Sequence, residues 1–282
     1  MFGSARAPLV DAVITNHNTS ALAEVALLSF LLDSGTSDRA NIRITVADNW
    51  STDGASARLA KTAALVGAQH AKTRWPHPGA DATRRLDSAG DALRDFVVSH
   101  QEADYYFFID SDIEFYGYRT LDAMLDFYSE SKNVWAVTAQ LERSDALPLP
   151  QLLVDGQVHD LAIERSVGGR HGPSRKEFSG RLQPRCPHAC TLIGRTETFL
   201  NLATRIGLSA AVIMSGDGDI GGFYDNFGLA TRVMEVAGYR YEVAPVSVRH
   251  AFGGSWAGQH RQAREQTAER RRERLRLQLG LD

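Results

Sequence analysis

Along the first half of the chain, short apolar runs alternate with segments whose apolar residues recur every three or four positions. The runs predict strands and the recurring pattern predicts helices. Leu9–Thr15 is one such run. It gives way to Asn16-His17-Asn18-Thr19-Ser20, side chains suited to capping a helix that carries Leu22, Val25, Leu28 and Leu32 and closes at Gly35. The β-branched segment Ile42–Ala47 predicts a second strand, stopping at Asp48-Asn49. A helix over about Ser56–Val66 and a third strand over Ala68–Thr73 follow, and Leu86, Ala89, Leu93, Phe96 and Val97 mark a helix over Ala82–Ser99. Tyr105–Ile109 is apolar at every position and bounded by Asp104 and Asp110, the pattern of a strand covered on both faces.

The second half is less regular. Val134–Leu141 predicts a strand, after which Glu142–Arg185 loses periodicity, gathers Pro and Gly, and reads as a long loop whose Arg165, Arg170, Arg175 and Lys176 form a solvated basic surface or, as the less favoured alternative, contact an anionic substrate. Helices are expected over Thr198–Ile206 and Asp225–Ala237, the latter ended by Gly238, with strands over Tyr239–Ala244 and Val246–Val248 and a terminal helix in Gln259–Asp282. No internal repeat is visible. Alternating strands and helices imply an α/β fold, a Rossmann-like, mostly parallel central sheet flanked by helices, because each crossover returns the chain to the same sheet edge.

Composition narrows the class. The 282 residues are 43% apolar and 23% charged, which excludes disordered and fibrous chains, and the net charge of −3 exerts no general pull on nucleic acid. Any bound anion must be held locally. Met1–Val10 lacks the pattern of a secretory signal, and Ala21–Leu32, the longest apolar stretch, contains Glu24 and is too short to span a membrane, so a cytoplasmic protein is expected. Cys186 and Cys190 flank His188, a spacing that could hold zinc, although ordinary thiols are the favoured reading.

Polar residues stand just beyond the predicted strands: Asn16 after the first, Asp48 after the second, Asp110 and Asp112 after the fourth. In an open α/β sheet these positions share the rim where ligands bind. The chain has no G-x-x-x-x-G-K-[ST], and no G-x-G-x-x-G follows the first strand. A metal is then the natural counter-charge for a diphosphate. Asp110-Ser111-Asp112 offers two carboxylates to one hard cation, magnesium or manganese.

These residues resemble the glycosyltransferases of the GT-A fold, and among them family 2. Val46-Ala47-Asp48-Asn49-Trp50-Ser51-Thr52-Asp53-Gly54 is similar to the family's V-x-D-N-x-S-x-D-G segment, and Ile109-Asp110-Ser111-Asp112 to its D-x-D strand end. Tyr224-Asp225 with the helix and Gly238-Tyr239-Arg240 beyond it resembles the acceptor-side carboxylate and turn, and Val248–Ser255 the late V-x-H-x-x-G-G-S segment. The resemblance runs in order from about Val10 to Trp256. It implies that Thr15 and Asn16 lie near the base and that Asp48 accepts hydrogen bonds from the nucleoside. It further implies that Asp110 and Ser111 contact the donor and that Asp110, Asp112 and His250 serve the metal. Asp225 is the candidate general base. The chain reads Asp225-Asn226-Phe227-Gly228 where many members carry further carboxylates, so Asp217 and Asp219 are rival bases.

The expected organisation is a single catalytic domain, 1–258, with a nucleotide-binding half at about 9–133 and an acceptor-side half at about 134–258, followed by an Arg-rich helix at 259–282. The expected activity is transfer of a sugar from a nucleotide-diphosphate sugar to an acceptor hydroxyl or amine, with Mn2+ or Mg2+ and with inversion. A sugar nucleotidyltransferase and a non-catalytic nucleotide-sugar-binding protein are the alternatives. In the tail, Arg270, Arg271, Arg272, Arg274 and Arg276 alternate with Glu269 and Glu273, so a solvated helix or a homodimer contact is expected. On that reading a chain cut after Gly258 keeps its donor chemistry.

Overall fold

The computed structural model describes residues 6–73, 82–143, 189–209, 211–214, 220–224, 226–251 and 261–281. The elements run β1 (Leu9–Asn16), α1 (Ser20–Ser34), β2 (Asn41–Asp48), α2 (Ser56–Leu65), β3 (Gln69–Lys72), α3 (Ala82–Ser99), β4 (Tyr105–Asp110), β5 (Ile113–Glu114), α4 (Thr120–Glu130) and β6 (Val134–Arg143). Then follow β7 (Cys190–Gly194), α5 (Glu197–Arg205), β8 (Ala211–Met214), β9 (Ile220–Tyr224), α6 (Gly228–Val236), β10 (Arg240–His250) and α7 (Arg261–Leu279). Eight strands form one sheet in the order β3-β2-β1-β4-β7-β6-β10-β5, and β8 and β9 pair separately. The pairings β3–β2, β2–β1, β1–β4 and β6–β10 are parallel. β7 runs antiparallel between β4 and β6, and β5 antiparallel along the end of β10.

The apolar run of β4 is explained by its two faces. Phe107 and Ile109 join the core beneath α1 and α4, whereas Tyr106 and Phe108 join the core on the opposite side with Trp135, Phe199 and Phe227. Alternate residues thus enter different layers, and no position is left for a polar residue. On that second side α3 lies so close to the loop after α5 that a Cβ on Gly90 would stand 2.2 Å from the Ser209 Cα. Only glycine permits that approach.

Several expectations shift. The strands expected over Tyr239–Ala244 and Val246–Val248 merge, from Arg240 on, into one strand, β10, whose register against β6 slips between Val243 and Ser247. Pro245 lies within that slip and cannot donate to a ladder. The helix expected from Asp225 begins at Gly228 instead, because Phe227 has φ +65°, outside the helical region. The loop expected over Glu142–Arg185 lies outside the described residues beyond Arg143, as do Cys186 and His188. Cys190 is buried on β7, and burial, with the Asp33 and Asp110 carboxylates nearby, pushes its thiol well above the ordinary value. Burial therefore favours the protonated thiol at Cys190.

The terminal helix is docked on one side rather than solvated all round. Ala268 and Leu275 of α7 close over Ala21, Val25 and Leu28 of α1. This explains why α1 is apolar all round: its other side, with Ala23, Ala26, Leu27 and Phe30, rests on the sheet. The one charge in its middle, Glu24, is 0% exposed and accepts from Arg58 Nε at 2.9 Å and Thr62 Oγ1 at 2.6 Å, with Arg272 Nη1 of α7 at 3.7 Å. Glu269 links the same two arginines, 2.5 Å from Arg58 and 2.8 Å from Arg272. Among the described residues, no helix is long and apolar enough to cross a membrane.

Removing residues 261–282 would uncover the apolar seam on α1 and strip Glu24 of one cation. Breaking a buried ion pair costs on the order of 3–5 kcal/mol, so the truncated chain should melt roughly 10 °C lower or precipitate. A thermal-unfolding scan of the two lengths checks this, and equal melting temperatures would contradict the docking of α7.

Candidate active site

Strand register builds the rim. Asn16 pairs with Asp48 across β1–β2, and Thr15 with Asp110 across β1–β4, so three chemistry-bearing residues from three strands end at one level. β1 then turns into α1 through Asn16–Thr19 with no glycine, held by side chains. Asn16 Nδ2 donates to Ser20 Oγ and Ser51 Oγ, each at 3.0 Å, and Asn16 Oδ1 accepts from the Thr19 hydroxyl at 3.1 Å. The Thr19 and Ser111 hydroxyls lie 2.7 Å apart. With one proton each, Thr19 donates to Asn16 and accepts from Ser111, which ties the first turn to the D-x-D turn.

Asp48 is 0% exposed. Its Oδ1 accepts from the Ser51 amide at 3.0 Å and its Oδ2 from the Ser56 hydroxyl at 2.8 Å, so it shapes the turn that follows β2. Asp53, in the same turn, caps α1 by accepting from the Ser20 amide at 2.7 Å and the Ser20 hydroxyl at 2.9 Å. A carboxylate there also meets the positive end of the helix. Trp50 takes φ +57° between these aspartates, its indole N–H donating to the Thr73 carbonyl at 3.1 Å and Lys72 Nζ lying 5.2 Å from its ring centre.

The three residues expected to hold a cation converge from opposite halves of the chain. Ligand atoms of Asp110, Asp112 and His250 all lie within 4.8 Å of one another, and His250 Nε2 is 3.2 Å from Asp112 Oδ1. Backbone pairing brings them together. His250 pairs with Ile113 across β10–β5, and the Ala251 amide donates to the Asp112 carbonyl at 2.9 Å. Two carboxylate oxygens and one imidazole nitrogen on a partly open rim suit a manganese- or magnesium-sized ion that keeps other positions for ligand oxygens.

Asp217, Asp219 and Asp225, the rival bases, lie outside the described residues. What brackets Asp225 is described. Tyr224 ends β9, and Phe227, two residues on, buries its ring between Phe108 and Trp135 at centroid distances of 5.4 and 6.2 Å. Missing from the expected set is Glu114. It is buried beside the D-x-D turn and meets Arg271 of α7, with Arg249 Nη1 3.8 Å away. A buried acid two residues past D-x-D was a legible signal, but its partner could not be named from spacing.

The chain has a GT-A-type fold. Among solved structures it is similar to a mannosyltransferase from Pyrobaculum calidifontis in complex with GDP-Man and Mn2+, at 17% identity and a TM-score of 0.50 over 88% of this chain and 58% of that one. It is also similar to glucosyl-3-phosphoglycerate synthase from Mycobacterium tuberculosis in complex with Mn2+ and UDP-glucose, at 16% identity and a TM-score of 0.46 over 86% of this chain and 71% of that one. A further structure of that synthase, with Mn2+, UDP and glucosyl-3-phosphoglycerate, covers 95% of this chain and 80% of its own at 15% identity and a TM-score of 0.48. No protein-family model matches the chain, and no curated protein matches it in sequence.

Asp112 contributes the most deeply placed oxygen of the triad. Asp112→Asn should weaken Mn2+ binding by about a hundredfold or more, at or beyond the range seen when ligand-orienting groups are lost, and His250→Ala by less. Mn2+ titration followed by electron paramagnetic resonance measures both, and unchanged affinity in Asp112→Asn would dismiss the triad as a metal site.

Proposed function

We propose that this chain is a cation-dependent glycosyltransferase that moves a sugar from a nucleoside-diphosphate sugar to an acceptor hydroxyl or amine, with inversion, in the cytoplasm. The observation that carries the reading is the meeting of Asp110, Asp112 and His250 on the same rim as Asn16 and Asp48. The nucleoside would lie against Thr15, Asn16 and Asp48, at the ends of β1 and β2, and the diphosphate would run toward Asp110 and Ser111. Asp110, Asp112 and His250 would hold Mn2+ or Mg2+, which when bound supplies counter-charge to the leaving diphosphate.

An acceptor hydroxyl is too weak an acid to attack unaided at neutral pH. Asp225 is our candidate to take its proton as the new bond forms at the anomeric carbon and the bond to the diphosphate breaks on the opposite face. Its place in the sequence supports this: it stands two residues before Phe227, and Phe227 packs on Phe108, two residues before Asp110. Phe227 also holds a left-handed backbone, a cost that surrounding packing sustains and that tends to mark working segments. Asp217 and Asp219 remain the rival bases.

A thermal-shift screen of UDP and GDP with and without Mn2+ should show a Mn2+-dependent rise, about 2.7 kcal/mol of stabilisation at a hundred times the dissociation constant. Nucleotide release from the matching sugar nucleotide should then require an acceptor. Diphosphate release from a nucleoside triphosphate and a sugar phosphate would make the chain a nucleotidyltransferase, and binding without turnover a non-catalytic protein. Asp225→Asn should slow transfer by about a hundredfold or more while leaving donor affinity unchanged. A dead Asp217→Asn or Asp219→Asn beside an active Asp225→Asn would move the base to Gly216–Gly222.

A further inference from the structure

The triad accounts for Asp110, Asp112 and His250 but not for Glu114, which is 5% exposed two residues beyond Asp112. A buried carboxylate demands partners. Three arginines face it: Arg271 of α7, which donates from Nη1 to Oε2, Arg249 of β10 at 3.8 Å, and Arg274 of α7 at 4.0 Å. Arg249 is also drawn toward Tyr116, its guanidinium carbon lying 4.4 Å from the ring centre, and Arg274 is largely exposed. Arg271, 19% exposed, is the principal partner.

Glu114 belongs to β5, a strand of two residues at the outer edge of the sheet. Its pairings, Arg249 with Glu114 and His250 with Ile113, together with the bond from the Ala251 amide to the Asp112 carbonyl, set how close His250 comes to Asp112. So short a ladder has little stability of its own. The support comes from behind: Ala268 and Arg271 of α7, with Leu22 and Val25 of α1, line a crevice against Asp112 and Glu114.

We infer that α7 is a positioning element of the cation site, Arg271 acting through Glu114 to hold β5 in register against β10 and thereby Asp112 within ligating distance of His250. This rests on the triad being a cation site. The positioning is separable from general stability, because α7 also docks through Glu269, whose ion pairs are with Arg58 and Arg272.

The test uses full-length Arg271→Gln, Glu114→Gln, the double variant, and Glu269→Gln as a docking control. Mn2+ alone is titrated into each, and amide hydrogen exchange at Ala251 and Ile113 is followed without metal. Arg271→Gln should weaken Mn2+ binding about ten- to hundredfold and speed exchange at Ala251, the effect of losing a group that orients a ligand. Glu114→Gln should act similarly, and the double variant should be little worse than either single one, as coupled residues behave. Glu269→Gln should lower the melting temperature without changing Mn2+ affinity. Parental Mn2+ affinity and exchange in Arg271→Gln, or equal losses in Arg271→Gln and Glu269→Gln that track melting temperature, would overturn the inference. If Arg271→Gln fails to fold, Arg271→Lys, which keeps the charge and loses the fork, is read the same way. Asp112→Asn separates the two layers: parental Mn2+ binding there removes the cation site itself, whereas exchange at Ala251 reports on β5 with no metal present.

Discussion

Buried negative charge organises this molecule. Glu24, Asp48, Asp112 and Glu114 are each less than a tenth exposed, and a carboxylate taken out of water must find donors or cations of good geometry. Asp48 finds its nearest donors locally, in Ser51 and Ser56, with Asn16 Nδ2 of the neighbouring strand at 3.4 Å. The other three reach across the chain: Glu24 to Arg58 and Arg272, Asp112 to His250, and Glu114 to Arg271. Each of the three acids finds a partner in the last part of the sequence, Arg272, His250 and Arg271. The carboxyl-terminal segment is therefore bound into the amino-terminal half by charge as well as by the apolar seam.

The layers explain how the acids can be buried at all. α1 lies between the sheet and α7, so its core-facing side chains and the seam under α7 exclude water from both directions. Glu24 sits in that sandwich and Glu114 at its margin. Their partners on α7 are Arg272 and Arg271, adjacent in sequence and pointing to different acids. Arginine suits both places, because its delocalised charge is weakly hydrated and its fork can serve two acceptors.

The rim shows the same economy of means. Asn16, Thr19, Ser20, Ser51, Asp53 and Ser111 form a hydrogen-bonded set that joins three loops without a glycine cradle. Side-chain amides and hydroxyls here do the shaping that glycine-rich backbones do in phosphate-loop proteins. The residues of this hydrogen-bonded set carry no positive charge, which is the setting in which a divalent ion would serve as counter-charge.

Much of this was legible in the amino-acid order. β1, β2, β4 and α1 follow from period and capping residues, and the rim positions of Asn16, Asp48 and Asp110 follow from where those runs stop, because strand ends are local events. α4 also carried a signal, with Leu121, Met124 and Leu125 at helical spacing. β7 and β5 did not. Five buried residues running antiparallel between β4 and β6, and two residues pinned to the end of β10, have no period of their own and exist only because distant neighbours pair with them. The tail is the sharpest case. Alternating Arg and Glu read locally as a solvated helix, but the sequence cannot say where the counter-ions lie. Tertiary structure decided that, by placing buried Glu24 and Glu114 opposite Arg272 and Arg271, since the energy of a charge depends on its surroundings in space and not on its neighbours along the chain.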